Sequence, residues 1–361
     1  MVVVQILPAL NNGGVERGTI EVANYLAKNG HTSIVISAGG IMQEKLSSAV
    51  QHITLEVGRK SLLSLLLMTK LKNIFVDKNV DIVHARSRLP AWLAYKAIAK
   101  INNKKPKFIT TIHGLYSVKR YSSIMARGDK VIAVSQTAAN YVMDNYSQFL
   151  KQKPLIIYRG IDPKEFSYGY KPESHWLTNW NIENPQLNGQ KTVLLPGRLT
   201  DLKGVKDLLI WLKDKENDAL LVLTAYPETD KYAARLEQWF KQQGVQQKIK
   251  WVGFQKSMVN LYAVVDVVVS TSTRPESFGR TVIESLAVGT PVVGYNHGGV
   301  GEILGELFPQ GCVEVGNTKH LSSRLNSVIK NMPQVPDKQK FILDNMLSQT
   351  LNVYQETIND R

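Results

Sequence analysis

Short runs of β-branched and aliphatic residues alternate with longer stretches of helical periodicity along almost the whole chain. This alternation narrows the possible folds more than any other feature. Val2–Leu7, Ser33–Ser37, His52–Glu56, Asp81–His84, Phe108–Ile112, Lys130–Val134 and Leu155–Tyr158 read as strands. Between them, Val15–Lys28 and Ala91–Ile101 carry apolar residues at helical spacing. Several strand runs are apolar without alternation, as strands covered on both faces must be, which predicts a parallel sheet wrapped by helices. The pattern breaks over 163–190, where Pro163, Pro172 and Pro185 interrupt a polar stretch. It restarts with Thr192–Leu195, Ala219–Thr224, Ile249–Val252, Val264–Ser270 and Pro291–Gly294. A chain of 361 residues exceeds one ordinary hydrophobic core. The expectation is an α/β chain of two doubly wound, Rossmann-like domains, 1–165 and 166–337, joined by a linker over about 163–190. A C-terminal segment, about 338–361, reads as a helix over Lys338–Ile358, with Phe341, Leu343, Met346, Leu347, Leu351 and Tyr354 as its apolar candidates. Ligands of such sheets bind beyond the carboxyl ends of the strands, so two facing domains would place their sites across a shared cleft.

A hydrophobic content of 43% with 20% charged residues excludes a disordered chain. The leucine-rich patch Ser61–Met68 is far shorter than the ~20 apolar residues of a spanning helix. The start, Met1-Val-Val-Val-Gln-Ile6, lacks the basic flank of a secretion signal, and the lone Cys312 excludes an internal disulfide and a cysteine-rich zinc site. These features predict a cytoplasmic location. The net charge of +14 is uneven: residues 1–165 hold 23 Lys and Arg against 10 Asp and Glu, and residues 166–361 hold 21 against 20. An anionic partner is expected for the first half: nucleic acid, phospholipid headgroups or a phosphorylated substrate. A nucleic-acid binder would need a groove-reading module or aromatics interleaved with the basic residues, and neither is present.

The most informative stretch is Thr271-Ser-Thr-Arg-Pro-Glu276-Ser-Phe-Gly279-Arg-Thr-Val-Ile-Glu284, which follows an apolar strand and opens a helix. Phe278, Gly279 and Arg280 would present free backbone N–H groups there, suited with the helix dipole to a phosphate or sugar oxygen. Glu284 lies eight positions after Glu276, at most ~12 Å along an ideal helix axis. That separation suits a ligand with a sugar at one end and a ribose at the other, each held through hydroxyl-to-carboxylate hydrogen bonds. Arg198 and Lys203 flank a strand-to-helix turn between Gly197 and Gly204, where a guanidinium fork and an ammonium could stabilise a departing diphosphate. Gly13 and Gly14 allow close backbone approach at the first helix start, where they could meet the same diphosphate from the other side. That loop lacks the G-x-G-x-x-G spacing of a dinucleotide dehydrogenase. His113 follows Phe108–Ile112 and precedes Gly114, at the sheet's carboxyl edge. His297, within Asn296-His-Gly-Gly-Val300, could equally line the donor loop or be structural.

The 271–291 string resembles the donor-site signature of retaining glycosyltransferases of family four (group 1 glycosyltransferases). Leu195-Pro-Gly-Arg-Leu-Thr-Asp-Leu-Lys-Gly204 and Asn12-Gly-Gly-Val-Glu-Arg17 resemble the family's loops after the first strand of each domain. Asp81–Arg88, Thr111-Ile-His-Gly114 and Tyr158-Arg-Gly-Ile-Asp162 are similar to family segments as well. The resemblance runs from about residue 2 to the last helix and implies the GT-B fold. In that fold the first domain takes the acceptor, the second takes the donor, and the C-terminal helix returns to the first domain.

It further implies a transferase moving a sugar from a nucleotide-sugar donor, a UDP-sugar by family weight, to a glycan or lipid-linked acceptor in lipopolysaccharide or cell-surface polysaccharide synthesis. His113 would lie beside the transferred sugar without acting as general base. The donor phosphate would help accept the acceptor's proton, with retention of anomeric configuration. Val252 and Phe254, within Trp251-Val-Gly-Phe254, would offer backbone hydrogen bonds to the nucleobase. One departure is Thr224-Ala-Tyr226-Pro227, which stands where the family often has a glycine-rich turn. No D-x-D pair stands near a strand end, so no divalent metal and no other cofactor is expected. A sugar-nucleotide epimerase or glycan phosphorylase, and a non-enzymatic basic anion-binding protein, are the alternatives. Arg59, Lys60, Lys70 and Lys72 flank the 61–68 leucines, so a helix there could lie on an anionic membrane, at the inner face of a bacterial cytoplasmic membrane, or pack its leucines into the core.

Overall fold

The computed structural model describes residues 1–59, 64–338 and 340–360. The chain divides into two compact units, Met1–Gly160 with the segment from Leu343 onward, and Ile161–Ile342. In the first unit the order is β1 (Val2–Ile6), α1 (Gly14–Lys28), β2 (Thr32–Ser37), β3 (Val50–Thr54), α2 (Ser64–Asp77), β4 (Ile82–Ala85), α3 (Arg88–Ala99), β5 (Lys107–Ile112), β6 (Lys130–Ala133), α4 (Gln136–Tyr146) and β7 (Leu155–Ile156). Its sheet runs β3-β2-β1-β4-β5-β6-β7, every pair parallel.

The second unit holds α5 (Ser174–Glu183), β8 (Thr192–Leu195), α6 (Leu209–Lys213), β9 (Leu220–Leu223), α7 (Lys231–Gln243), β10 (Ile249–Trp251), α8 (Met258–Val264), β11 (Val267–Ser270), α9 (Arg280–Val288), β12 (Val292–Tyr295), α10 (Gly298–Leu307), β13 (Cys312–Val313) and α11 (Thr318–Asn331). Its sheet runs β10-β9-β8-β11-β12-β13, again all parallel. Each unit is thus doubly wound, and the strand order reverses between β1 and β4 in one and between β8 and β11 in the other. Those reversals leave crevices at the carboxyl ends of the strands, the places where such sheets bind ligands.

The expected strands are present, several trimmed at their ends. The apolar run read as Val264–Ser270 is divided: Val264 ends α8 and β11 begins at Val267. Asp266 between them accepts from the Thr192 amide at 2.8 Å and pairs with Lys191 at 2.8 Å, fixing where β11 enters the sheet. Residues 163–190, read as a linker without periodicity, contain α5. That helix buries only Trp180, against which Trp176 stacks at 5.3 Å, so its sequence shows no broad apolar face. The two-residue β13 was not expected.

The final helix, α12 (Leu343–Asn359), begins later than expected. Phe341 precedes it and packs on Phe278 at 5.9 Å. Met346, Leu347, Val353 and Tyr354 join the core of the first unit with Val3, Val22, Ile82, Ile109 and Ile132. One polar contact strengthens this docking. The Tyr354 hydroxyl lies 2.6 Å from His84 Nδ1, and His84 Nε2 lies 2.6 Å from the Thr111 hydroxyl, all buried.

Of the basic leucine-rich segment, Lys60 and Ser61–Leu63 lie outside the described residues. In the described part, Met68, Leu71 and Phe75 of α2 are buried, whereas Leu66, Lys70 and Asn73 are exposed. The apolar side of this part faces the core. No helix among the described residues is long and apolar enough to cross a membrane.

Tyr354→Phe should lower the stability of the first unit by about 1–3 kcal/mol, because it leaves a buried ring nitrogen of His84 unsatisfied. Urea unfolding followed by hydrogen exchange on α12 would detect this, and an unchanged midpoint with unchanged protection would refute it.

Candidate active site

In the second unit, the loops that follow β8 and β11 meet at the strand-order reversal. The β8 loop carries a short turn, Asp201–Lys203, ended by Gly204 in the left-handed region at φ 61°. A Cβ at Gly204 would lie 2.0 Å from the Thr271 carbonyl oxygen, so only glycine lets the two loops approach this closely. Their backbones are stitched: the Thr271 hydroxyl donates to the Lys203 carbonyl at 2.8 Å, and the Thr273 amide donates to the Leu202 carbonyl at 2.8 Å. This register brings Lys203 Nζ to 2.7 Å from Glu276 Oε1, which also accepts from the Ser272 hydroxyl.

Burial pushes the Glu276 carboxyl up, but the Lys203 charge, the hydrogen bonds from Lys203 and Ser272, and the nearby His297 together hold it below its ordinary value. His297 Nε2 donates to the Ser272 carbonyl at 2.7 Å. The Gly299 amide donates to the Glu276 carbonyl at 2.8 Å, and a Cβ at Gly298 would meet that carbonyl at 2.6 Å. The His297 segment is therefore a brace for the Glu276 loop.

Helix α9 starts at Arg280, with Gly279 as its N-cap at φ 111° and no side-chain cap, and the Val282 amide donates to the Gly279 carbonyl at 3.0 Å. Arg280 Nε lies 2.6 Å from Glu284 Oε1, and the Tyr262 hydroxyl donates to Glu284 Oε2 at 3.1 Å. Burial, then the Glu284 charge, push the Tyr262 hydroxyl well above its ordinary value and keep it protonated as a donor. Glu284 is thus held in place, with acceptor capacity left over on its four lone-pair directions.

Not every expected residue converges. Arg198 is exposed and makes no ion pair among the described residues. Its neighbour Gly197 is fixed instead, its amide donating to the Thr224 hydroxyl at 3.1 Å. Val252 spends its amide on the Leu223 carbonyl and its carbonyl on the Gln255 side chain, so it has less to offer a base than expected. Phe254 is 73% exposed. The unusual Tyr226 packs its ring where a Cβ of Gly253 would stand, and so shapes this loop.

In the first unit, Gly13 caps α1 at φ 155° and Gly14 has open space where a Cβ would project. The Arg159 guanidinium donates to the Gly14 carbonyl at 3.2 Å and to His113 Nδ1 at 3.0 Å. Since Arg donates, Nδ1 accepts, and the ring proton resides on Nε2. Burial first, then the Arg159 and Arg86 charges, push His113 well below the ordinary histidine value, so the ring is neutral near pH 7.

Arg159 lies in the family-like segment Tyr158–Asp162, but the sequence assigns it no role. Its signal is Gly18, a glycine inside α1 where a Cβ would meet Arg159 Nη1 at 1.9 Å. A glycine inside a helix costs about 1 kcal/mol relative to alanine, and here it lets the arginine pass. Arg86, also buried, gives its Nε to Gln5 Oε1 at 3.0 Å. No group of three or more His, Cys, Asp or Glu among the described residues is placed to hold a metal ion.

Residues 12–165 match Glycosyltransferase Family 4 and residues 178–342 match Glycosyl transferases group 1. The crystal structure of a glycosyltransferase from Rickettsia africae is 31% identical, with a TM-score of 0.86, covering 100% of this chain and 99% of that one. The chain belongs to the family-four, group 1 glycosyltransferases, enzymes of GT-B fold.

An uncharacterised glycosyltransferase of Methanocaldococcus jannaschii is 29% identical over 68% of this chain, a match spanning 63% of that protein's length. The Escherichia coli O-antigen biosynthesis glycosyltransferase WclY is 27% identical over 78% of this chain and 81% of its own. Anabaena HepE, solved with UDP and glucose, has a TM-score of 0.77 at 19% identity, covering 99% and 100%.

His84 is, like His113, held well below its ordinary value by burial and then by Arg86 and Arg159. Both histidines are neutral in the folded state and take up protons when unfolded below about pH 6.5. Stability should therefore fall with pH below that value, by about 1.4 kcal/mol per pH unit for each ring. The contribution of Glu276 has the same sign but lies lower: it is present above the ordinary carboxyl value and lost as pH falls through the depressed folded one. Denaturant midpoints at pH 7.5, 6.5 and 5.5 should show a shallower acid decline for His113→Asn than for the native chain. Parallel declines would contradict a neutral His113 in the folded state.

Proposed function

We propose that this glycosyltransferase is retaining and moves a sugar from a UDP-sugar to a lipid-linked or glycan acceptor in bacterial lipopolysaccharide or cell-surface polysaccharide synthesis. The observation that carries the reading is the Lys203–Glu276 pair at the strand-order reversal of the second unit, beside the uncapped start of α9. Lys203, Arg198 and the amides of Phe278, Gly279 and Arg280 would take the diphosphate. Glu276 would take hydroxyls of the transferred sugar, Glu284 the ribose, and the Val252–Phe254 loop the base. UDP is favoured because HepE binds it in a matching fold, and the O-antigen pathway because of the similarity to WclY.

The donor unit comprises about residues 166–337 in this reading. The acceptor unit, about 1–165 with the last helix, would add Gly13, Gly14 and the neutral His113. In the reaction, the bond between the anomeric carbon and the departing phosphate oxygen breaks as the acceptor oxygen bonds to the same face of that carbon. The acceptor's proton goes to the departing phosphate. The cations and helix-start amides supply countercharge to that leaving group, so no divalent metal or other cofactor is required.

Glu276→Gln, Lys203→Ala and Arg198→Ala should each slow transfer by an amount equivalent to about 2–4 kcal/mol while leaving the fold intact. Glu284→Gln should mainly weaken donor binding, since a ribose contact persists through the chemistry. Nucleotide release from a panel of nucleotide sugars, with NMR of fresh product, should give a glycoside of unchanged anomeric configuration, with activity surviving EDTA. An inverted anomer would reject retention. Donor conversion to an epimer without nucleotide release would favour the epimerase alternative.

The excess charge of the first half supports a peripheral position on the cytoplasmic face, with cations each worth ~1 kcal/mol near anionic lipid. Binding to anionic vesicles should fall with salt and with joint neutralisation of Arg59, Lys60, Lys70 and Lys72, while donor hydrolysis persists. Equal pelleting with neutral and anionic vesicles, or none with either, would remove the membrane role alone.

A further inference from the structure

The first unit carries a second cationic group at its carboxyl edge, distinct from the Arg159–His113 cluster. Arg88 opens α3 directly after β4. Its guanidinium carbon stands 4.6 Å from the centroid of the Tyr116 ring and 5.5 Å from that of Tyr121. Its Nη1 donates to the Ser122 hydroxyl at 3.2 Å, the one hydrogen bond seen for its five donors among the described residues. The turn that holds Ser122 also carries Lys119 and Arg120, both exposed. None of the three cations has an acidic partner among the described residues, whereas Lys104, Lys130 and Lys151 of the same unit are paired with Asp81, Asp360 and Asp129.

The loop bearing these groups is rigidly held. The Tyr141 hydroxyl donates to the Tyr116 carbonyl, and the Trp92 indole donates to the Tyr121 carbonyl at 2.8 Å. The Lys119 amide donates to the Tyr146 hydroxyl at 3.0 Å, and the Ser122 hydroxyl to the Ser117 carbonyl at 3.0 Å. A guanidinium half-buried between two aromatic rings has lost its rotational freedom and part of its hydration in advance. It can therefore bind an oxyanion with little further ordering. The loop begins immediately after His113, on the strand edge where ligands of such sheets bind.

We infer that Arg88, with Lys119 and Arg120, recognises an anionic group, a carboxylate or a phosphate, on the acceptor glycan. The inference rests on the transferase reading above and adds the acceptor's chemical class. Arg88 supplies the planar fork that a carboxylate or phosphate accepts, and Lys119 and Arg120 supply attraction at longer range.

The test uses the full chain in the presence of UDP. Titration calorimetry would compare methyl glucoside with methyl glucuronide and glucose 6-phosphate, and inorganic phosphate would serve as competitor. The charged probes should bind at least about ten-fold more tightly than the neutral one, a difference of roughly 1.4 kcal/mol. Arg88→Gln should bring all three to parity, and Arg88→Lys should keep part of the preference. Lys119→Gln with Arg120→Gln, at exposed positions that leave the packing untouched, should reduce it several-fold. A preference for the glucuronide would identify an acidic sugar, and one for glucose 6-phosphate a phosphorylated acceptor. Equal or undetectable binding of all probes, or an undiminished preference in both the Arg88→Gln and the double variant, would overturn the inference. So would loss of UDP affinity in a folded Arg88→Gln variant, which would make Arg88 a donor residue. UDP binding without charge preference would fail this inference alone. Absence of both UDP binding and nucleotide-sugar turnover would fail the transferase reading beneath it.

Discussion

A parallel sheet covered on both faces gathers the ends of all its strands at one edge, and the only gap in that edge is where the strand order reverses. In the second unit the gap lies between β8 and β11, and two backbone approaches close it. Gly204 stands against the Thr271 carbonyl, and Gly298 and Gly299 stand against the Glu276 loop. These contacts have no room for a Cβ, so only glycine lets the loops come this close. Lys203 meets Glu276 because the loops that carry them are also hydrogen-bonded, Thr271 to Lys203 and Thr273 to Leu202. The ion pair is a consequence of the glycines, and a partly exposed pair of this kind would add little rigidity by itself. The pair's geometry is set by the backbone before any ligand arrives.

The first unit solves a different electrostatic problem. Two arginines, Arg86 and Arg159, are buried near two histidines. Burial alone disfavours a charged imidazole, and the neighbouring guanidiniums disfavour it further. The histidines yield and stay neutral, and the arginines, whose protons are far harder to remove, keep their charge. In this interior Arg86 donates to Gln5, and Arg159 donates to the Gly14 carbonyl and to His113 Nδ1. His84 ties this interior to α12 through Tyr354. The last helix thereby buttresses β4 and β5, the strands that lead to Arg88 and His113.

Local signals made much of this readable from sequence, and tertiary passages hid the rest. Apolar runs bounded by turns marked the strands, because burial on both faces leaves its own signature. The Glu276–Glu284 string was readable because a strand, a turn and a helix start fall within a few residues of one another. Arg159 was hidden because its role depends on the absent side chain of Gly18, 141 positions earlier, and periodicity cannot reveal such a crossing. Helix α5 was hidden because it buries one tryptophan rather than a stripe. The backbone commitments of Val252 were invisible, since amide pairing depends on the neighbouring strand and not on residue type. Tyr226 was visible as a departure, but its effect was not: its ring occupies the space beside Gly253.

The charge asymmetry between the halves also acquires a physical meaning. Several of the first unit's lysines, at the amino ends of strands, are answered by aspartates: Lys104 by Asp81, Lys151 by Asp129, Lys130 by Asp360. Such pairs cancel locally and contribute little to a field at a distance. Arg88, Lys119 and Arg120 stand at the opposite edge without such partners among the described residues, and Arg86 and Arg159 lie beneath that edge. Part of the excess that composition assigns to a whole half of the chain therefore stands, on the scale of the fold, at the carboxyl ends of β4 and β5. An evenly spread excess would mainly favour solubility and non-specific adhesion. A group held by aromatic rings and fixed loops would instead create a local potential able to select a ligand by the position of its negative charge.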